Sequence, residues 1–251
     1  MTSDLVRIDL RAGDRRIVLR RRPAPPGPAP ALLLHALAGS WRWWRDAVVH
    51  LSPGREILVP DRPGFGESSG LPLAPPEEAD LFARALVDAG VAASAPPWHV
   101  VGHSMGGAVA AELAARHPHL IASLTLIDAA GWPTPYFRRY AGRLARPWSW
   151  CRLAFVPTLV GDVLRTRPLR LTTGIRRILA YDLRPALSRI EAPAFVVWGE
   201  RDRLFPPEQG RAIAESLEHA RWEVVSGAGH IVPADRPAIL ARLLDDFWGN
   251  V

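Results

Sequence analysis

Val100-Val101-Gly102-His103-Ser104-Met105-Gly106-Gly107 is the stretch on which the reading of this chain turns. An apolar run enters it, a serine stands between glycines two residues before and two after, and a helix-compatible stretch, 105–116, leaves it. Strand, tight turn and helix in that order hold the serine hydroxyl at the apex of a strained turn, projecting outward. The glycines have a steric reason, because side chains at 102 and 106 would collide with the neighbouring strand and helix. Small residues continue at Gly107, Ala108, Ala111 and Ala115, which lets the helix lie close to a sheet. Its N-terminus brings partial positive charge to the space beside Ser104. Ser104 is therefore a candidate nucleophile.

Outward from this turn, short apolar runs alternate with helix-like stretches. The runs are 31–34, 57–59, 99–101, 124–127, 195–198 and 222–225; the helical stretches are 42–51, 77–90, 105–116, 208–218 and 237–248. Strands apolar on both faces and separated by helices predict an α/β fold with a mostly parallel central sheet covered on both sides. Chemistry in such sheets gathers at the carboxyl ends of the strands. Two alternating segments, 5–10 and 16–20, flank Gly13-Asp14 and predict a hairpin. The stretch 23–30 (PAPPGPAP) reads as a stiff surface connector. From 131 to 190 no strand interrupts the helical pattern. That segment is expected to be an inserted helical cap on a core domain made of 1–130 and 191–251.

The chain has 251 residues, 31 basic and 25 acidic, for a net charge of +6, and every basic residue is Arg. The charge is uneven. Residues 131–190 hold 12 Arg against Asp162 and Asp182, or +10, leaving −4 for the rest. A nucleic-acid partner is not expected, since the core is mildly acidic and no nucleic-acid motif is present. The basic segment leaves contact with an anionic surface open. A single cysteine, Cys151, excludes an internal disulfide and a Cys-rich zinc site. His117 and His119 flank Pro118, but no third ligand follows at a suitable spacing, so no metal site is expected. No apolar run approaches the ~18 residues that span a bilayer. Met1 to Asp9 lacks the apolar core of a signal peptide, and a cytoplasmic location is expected.

Five motifs follow one another along the chain: His35-Ala36-Leu37-Ala38-Gly39-Ser40; Asp61-Arg62-Pro63-Gly64-Phe65-Gly66-Glu67-Ser68; the serine turn; Trp198-Gly199-Glu200-Arg201-Asp202-Arg203; and Gly227-Ala228-Gly229-His230. In this order the chain resembles the α/β-hydrolase family over nearly its whole length, in its small serine carboxylesterase branch. The resemblance implies an α/β-hydrolase fold and a catalytic triad. His230 is the family-matched base and Asp202 the orienting acid, in the order Ser, Asp, His. A serine hydroxyl needs such a base, and imidazole can accept a proton and return it. Asp128 also stands at a strand end where some relatives carry the acid, and competes with Asp202. Glu200 reads as a solvated loop charge.

By the same resemblance, the oxyanion hole draws its donors from the amides of Met105 and Leu37. Here the chain departs from the family, with Ala36 where Gly is usual; alanine pays more for a positive φ, so a slightly different loop shape is expected. His35 is expected to brace its loop, His103 to point away from the pocket, and Asp61 and Arg62 to be structural.

Serine at the nucleophile position excludes the aspartate-dependent dehalogenases and epoxide hydrolases. Carboxylester, thioester and C–C bond hydrolysis remain. C–C hydrolases of the family usually carry Asn before the serine and Trp soon after the histidine; with His103 and Ile231-Val232-Pro233 in those places, the chain looks closer to the carboxylesterases. A non-hydrolytic ligand-binding protein or cofactor-free lyase on the same fold is the alternative from another class. The implied partner is a small-molecule ester, with an anionic one favoured by the basic cap, and the mechanism requires no cofactor. Trp132, Tyr136 and Tyr140 are candidate substrate-binding residues. Tyr136, Tyr140 and Leu144 share one helical face opposite Arg139, Arg143 and Arg146. The apolar face equally suits packing of the cap onto the core.

Overall fold

The structure, a computed structural model, describes residues 5–88, 97–133 and 151–251. Eight strands form one sheet in the order β1-β2-β4-β3-β5-β6-β7-β8. These are β1 (Val6–Ala12), β2 (Arg15–Arg22), β3 (Ala31–Leu34), β4 (Ile57–Pro60), β5 (Trp98–His103), β6 (Ile121–Ile127), β7 (Ala194–Gly199) and β8 (Arg221–Val225). The β1–β2 hairpin turns at Gly13, in the left-handed region at φ 62°, and joins β4 antiparallel. All later pairings, β4–β3–β5–β6–β7–β8, are parallel. Each of the six apolar runs thus lies on a strand, and the 23–30 connector crosses from β2 to β3 without regular structure.

Side-chain alternation divides these strands between two cores. Leu32 and Leu34 of β3, Val100 of β5, Leu124 and Leu126 of β6 and Val196 of β7 face one cluster. There they meet α2 (Pro75–Asp88), α3 (Met105–Arg116), α6 (Arg184–Leu187) and α7 (Pro207–Glu215). Ala31, Leu33, Val101, Ile127, Phe195 and Val197 face the other. That cluster is closed by α1 (Arg45–His50), the one-turn α8 (Val232–Asp235) and α9 (Pro237–Trp248). The central strands are apolar on both faces because both faces are covered.

Between β6 and β7 the described residues form helices only: α4 (Val156–Arg165), α5 (Pro168–Leu179) and α6. Proline stands in the first turn of α4, α5, α6, α7, α8 and α9. Its missing N–H has no intrahelical partner there, and its fixed φ suits a helix start. Much of the proline in this sequence thus sets helix boundaries. The helical stretch 42–51 divides into a 3₁₀ turn, Trp41–Trp43, and α1. Ser40 caps the 3₁₀ turn by accepting from the Arg42 amide.

Candidate active site

Ser104 occupies the sharp corner between β5 and α3, with φ 53° and ψ −117°. An L-residue at positive φ is strained, and the surrounding bonds hold it there. Its amide donates to the Ile127 carbonyl at 2.9 Å, and its carbonyl accepts from Gly107 at 2.9 Å and Ala130 at 3.0 Å. The flanking glycines are sterically required. A Cβ at Gly102 would overlap the Gly106 carbonyl, and one at Gly106 would overlap the carbonyls of Leu34 and His35.

His230 follows β8 in the loop Gly227-Ala228-Gly229-His230. Its Nε2 accepts from the Ser104 hydroxyl at 3.2 Å, and its Nδ1–H donates to Asp202 Oδ2 at 2.8 Å. Asp202 Oδ1 accepts the amides of Leu204 at 2.7 Å and Phe205 at 3.0 Å. All three residues are buried. Ser104, His230 and Asp202 therefore form one hydrogen-bonded line drawn from the ends of β5, β8 and β7. The competing carboxyl, Asp128, ends β6 at φ 45° and accepts the Gly199 amide at 2.8 Å. Burial, and then the nearby charge of Asp202, push its pKa well above the ordinary carboxylate range. Asp128 therefore braces the β7 exit, while Asp202 meets the imidazole.

His103 has a part that the sequence reading missed. Its Nε2–H donates to the backbone carbonyl of His230 at 2.7 Å, and the two rings lie 5.1 Å apart. Burial and the neighbouring His230 push its pKa well below that of free imidazole, so the ring is neutral. It holds the loop that carries His230. Its place at the strand end, just before the serine, was the available signal. Asp235 adds a second hold: it accepts the Gly229 amide on one oxygen and the Arg152 amide on the other, both at 2.7 Å.

The loop after β3 carries Leu37, and the Met105 amide opens α3. Neither amide has an acceptor among the described residues. The positive φ in this loop falls on Ala38, at 55°. His35 is fully buried; its Nδ1–H donates to the Ala36 carbonyl at 2.7 Å, and its Nε2 accepts the Arg62 amide at 2.9 Å. Burial and the adjacent Arg62 push its pKa down to about 3, which keeps the ring neutral in this bracing role. Asp61, buried and pushed up to about 6 by that burial, accepts the amides of Trp41 at 2.7 Å and Glu67 at 2.8 Å.

Helices α4 and α5 lie against these loops. Gly174 of α5 is so close that a Cβ there would come within 2.6 Å of Leu37 Cδ1 and 2.9 Å of Phe65 Cζ. Asp162 of α4 is buried and accepts from Ser40 Oγ at 2.7 Å and Trp43 Nε1 at 3.0 Å. Phe155 and Leu159 pack with Ala36, Leu204 and Ile231, neighbours of the Leu37, Asp202 and His230 positions. Trp132 is half-buried and packs on the core cluster at the α3 face of the sheet. Tyr136, Tyr140, Leu144, Arg139, Arg143 and Arg146 lie outside the described residues.

The family model described as the alpha/beta hydrolase family matches residues 31–243, most of the chain. The chain belongs to that family. A monoacylglycerol lipase of Xenopus laevis is 26% identical over 95% of this chain and 81% of its own length. The crystal structure of an enol-lactonase from Burkholderia xenovorans superimposes with a TM-score of 0.76 at 25% identity, covering 96% of this chain and all of that one. A thermophilic esterase from Thermogutta terrifontis shares the fold, with a TM-score of 0.71, 24% identity and 99% coverage of each chain.

In this alpha/beta hydrolase, His103, Asp128 and His230 bring three donor atoms within 4.8 Å of one another. Both ring nitrogens of His230 already bond Ser104 and Asp202, and Nε2 of His103 bonds the His230 carbonyl. A metal there would have to displace the bonds that align the serine. The arrangement can instead pass the Ser104 proton to His230, with Asp202 stabilising the imidazolium.

Proposed function

We propose that the protein is a serine hydrolase cleaving carboxylic esters through an acyl-enzyme on Ser104, with His230 as general base and Asp202 as orienting acid. The observation that carries this reading is the unbroken line from Ser104 Oγ to His230 Nε2, at 3.2 Å, and from His230 Nδ1 to Asp202, at 2.8 Å. As Ser104 Oγ attacks the ester carbonyl carbon, its proton moves to His230 Nε2. The carbonyl oxygen becomes the oxyanion, which the amides of Met105 and Leu37 receive. Collapse breaks the bond to the alcohol oxygen, which leaves with the proton from His230. Water, deprotonated by the same imidazole, then attacks the acyl-enzyme and releases the acid, restoring Ser104.

Residues 131–190 serve as a cap in this reading. The apolar cluster of Phe155, Leu159, Leu204 and Ile231 lies beside the triad, where an acyl chain would rest. The relatives named a monoacylglycerol lipase, an esterase and an enol-lactonase support ester-type bonds. Turnover of short p-nitrophenyl esters by the purified protein is the test. Ser104→Ala should lower kcat by about a million-fold. Turnover unchanged in that variant would overturn the proposal.

A further inference from the structure

Half of the exposed large aliphatic side chains among the described residues fall within 153–179. The α4–α5 corner concentrates them. Leu164 is 80% exposed just before the turn, Leu169 is 65% exposed just after it, and Val160 and Val163 extend the same surface along α4. Helix α4 thus carries apolar residues on two faces. Leu159 and Asp162 turn inward, while Val160, Val163 and Leu164 are left in water, where a helix packed on a core ordinarily places polar residues.

Charge accompanies these leucines. Arg165, Arg167, Arg176 and Arg177 are exposed and Arg170 is half-buried. Arg167, Arg170, Arg176 and Arg177 form no ion pair with any described residue. The sole carboxylate between 152 and 181 is Asp162, which is buried beneath Ser40 and Trp43. The corner therefore presents protruding leucines and unneutralised guanidinium groups, with no exposed acid between them.

We infer that the α4–α5 corner, centred on Leu164, Arg167, Leu169 and Arg170, docks on the surface of an anionic phospholipid bilayer. Leucines that stand clear of their neighbours can enter the boundary between headgroups and acyl chains, while guanidinium groups beside them bind phosphate oxygens. A second copy of this chain would bring the same uncompensated positive face and be repelled. An acidic protein would satisfy the arginines, but it would need a groove for two leucines on opposite sides of a helix turn. A soft interface needs none.

Co-sedimentation of the full chain with vesicles tests this, using phosphatidylcholine alone and phosphatidylcholine mixed with phosphatidylglycerol, each at low and high salt. Binding should appear with the mixed vesicles and weaken with salt. Arg167→Gln with Arg170→Gln should lower the partition coefficient about 25-fold, at about five-fold per arginine. Leu164→Ser with Leu169→Ser should lower it by about ten-fold for each leucine that inserts. Thermal unfolding midpoints equal to wild type would show that these surface variants fold. Absent or equal sedimentation with the two vesicle types, or variants that bind like wild type, would overturn the inference. So would retention of an acidic acyl-carrier protein, lost in the same variants, without vesicle binding. None of these readouts requires catalysis, so this surface and the ester reading fail separately.

Discussion

Two carboxyl groups stand close to His230, and their surroundings differ. Asp202 receives two backbone amides and the imidazole Nδ1–H, all suited to a carboxylate. Asp128 is fully buried beside Asp202, and burial with that neighbouring charge pushes its pKa well above the ordinary carboxylate range, which favours the protonated form. An asparagine at 128 closely copies the protonated acid in shape and charge, whereas one at 202 removes the charge that stabilises the imidazolium. Asp202→Asn should therefore lower kcat for a p-nitrophenyl ester by about 10⁴-fold. Asp128→Asn should retain kcat within about ten-fold. The opposite ranking in the same assay would move the acid to β6. At this scale the motif spelling made Ser104, His230 and Asp202 legible as candidates. The His103 bond to the His230 carbonyl was not legible, because it joins residues 127 positions apart.

At the scale of elements, the loop after β4 is locked to α2 by a pair that is 0% exposed on both sides. Arg62 Nε and NH2 donate to the two Glu78 oxygens at 2.6 and 2.9 Å, and NH1 donates to the His35 carbonyl at 3.0 Å. Glu78→Gln preserves shape but leaves a buried guanidinium without its counter-charge. Such a loss costs about 3–5 kcal/mol, which chemical denaturation would read as a lower midpoint at unchanged slope. A variant as stable as wild type would deny this pair its structural part. The motif resemblance marked Arg62 as structural but not Glu78, since the partner lies on another element. The same limit applies to Gly174: nothing in its own helix foretells that Leu37 and Phe65 crowd it. Gly102 was legible because its constraint, the Gly106 carbonyl, lies in the serine turn itself; Gly106 was legible from the motif, although the carbonyls that crowd it belong to Leu34 and His35.

Over the whole molecule, apolar runs and helical stretches in alternation were enough to predict a covered, mostly parallel sheet. The β1–β2 hairpin was legible from its turn, but the β2–β4 pairing and the full strand order depend on crossovers that local pattern does not encode. Contacts of 131–190 with the rest were likewise out of reach, because Asp162 finds Ser40 across 122 residues. Charge counting did locate the basic excess in that segment, and the structure sharpens it to a corner where leucines accompany arginines. Everything in the functional reading converges on a single reactive hydroxyl. Peptide mass spectrometry after treatment with a fluorophosphonate tests it most directly. The account predicts one adduct, on Ser104, absent from Ser104→Ala and formed far more slowly in His230→Gln; an adduct on any other residue, or an unlabelled protein that still turns over esters, would contradict it.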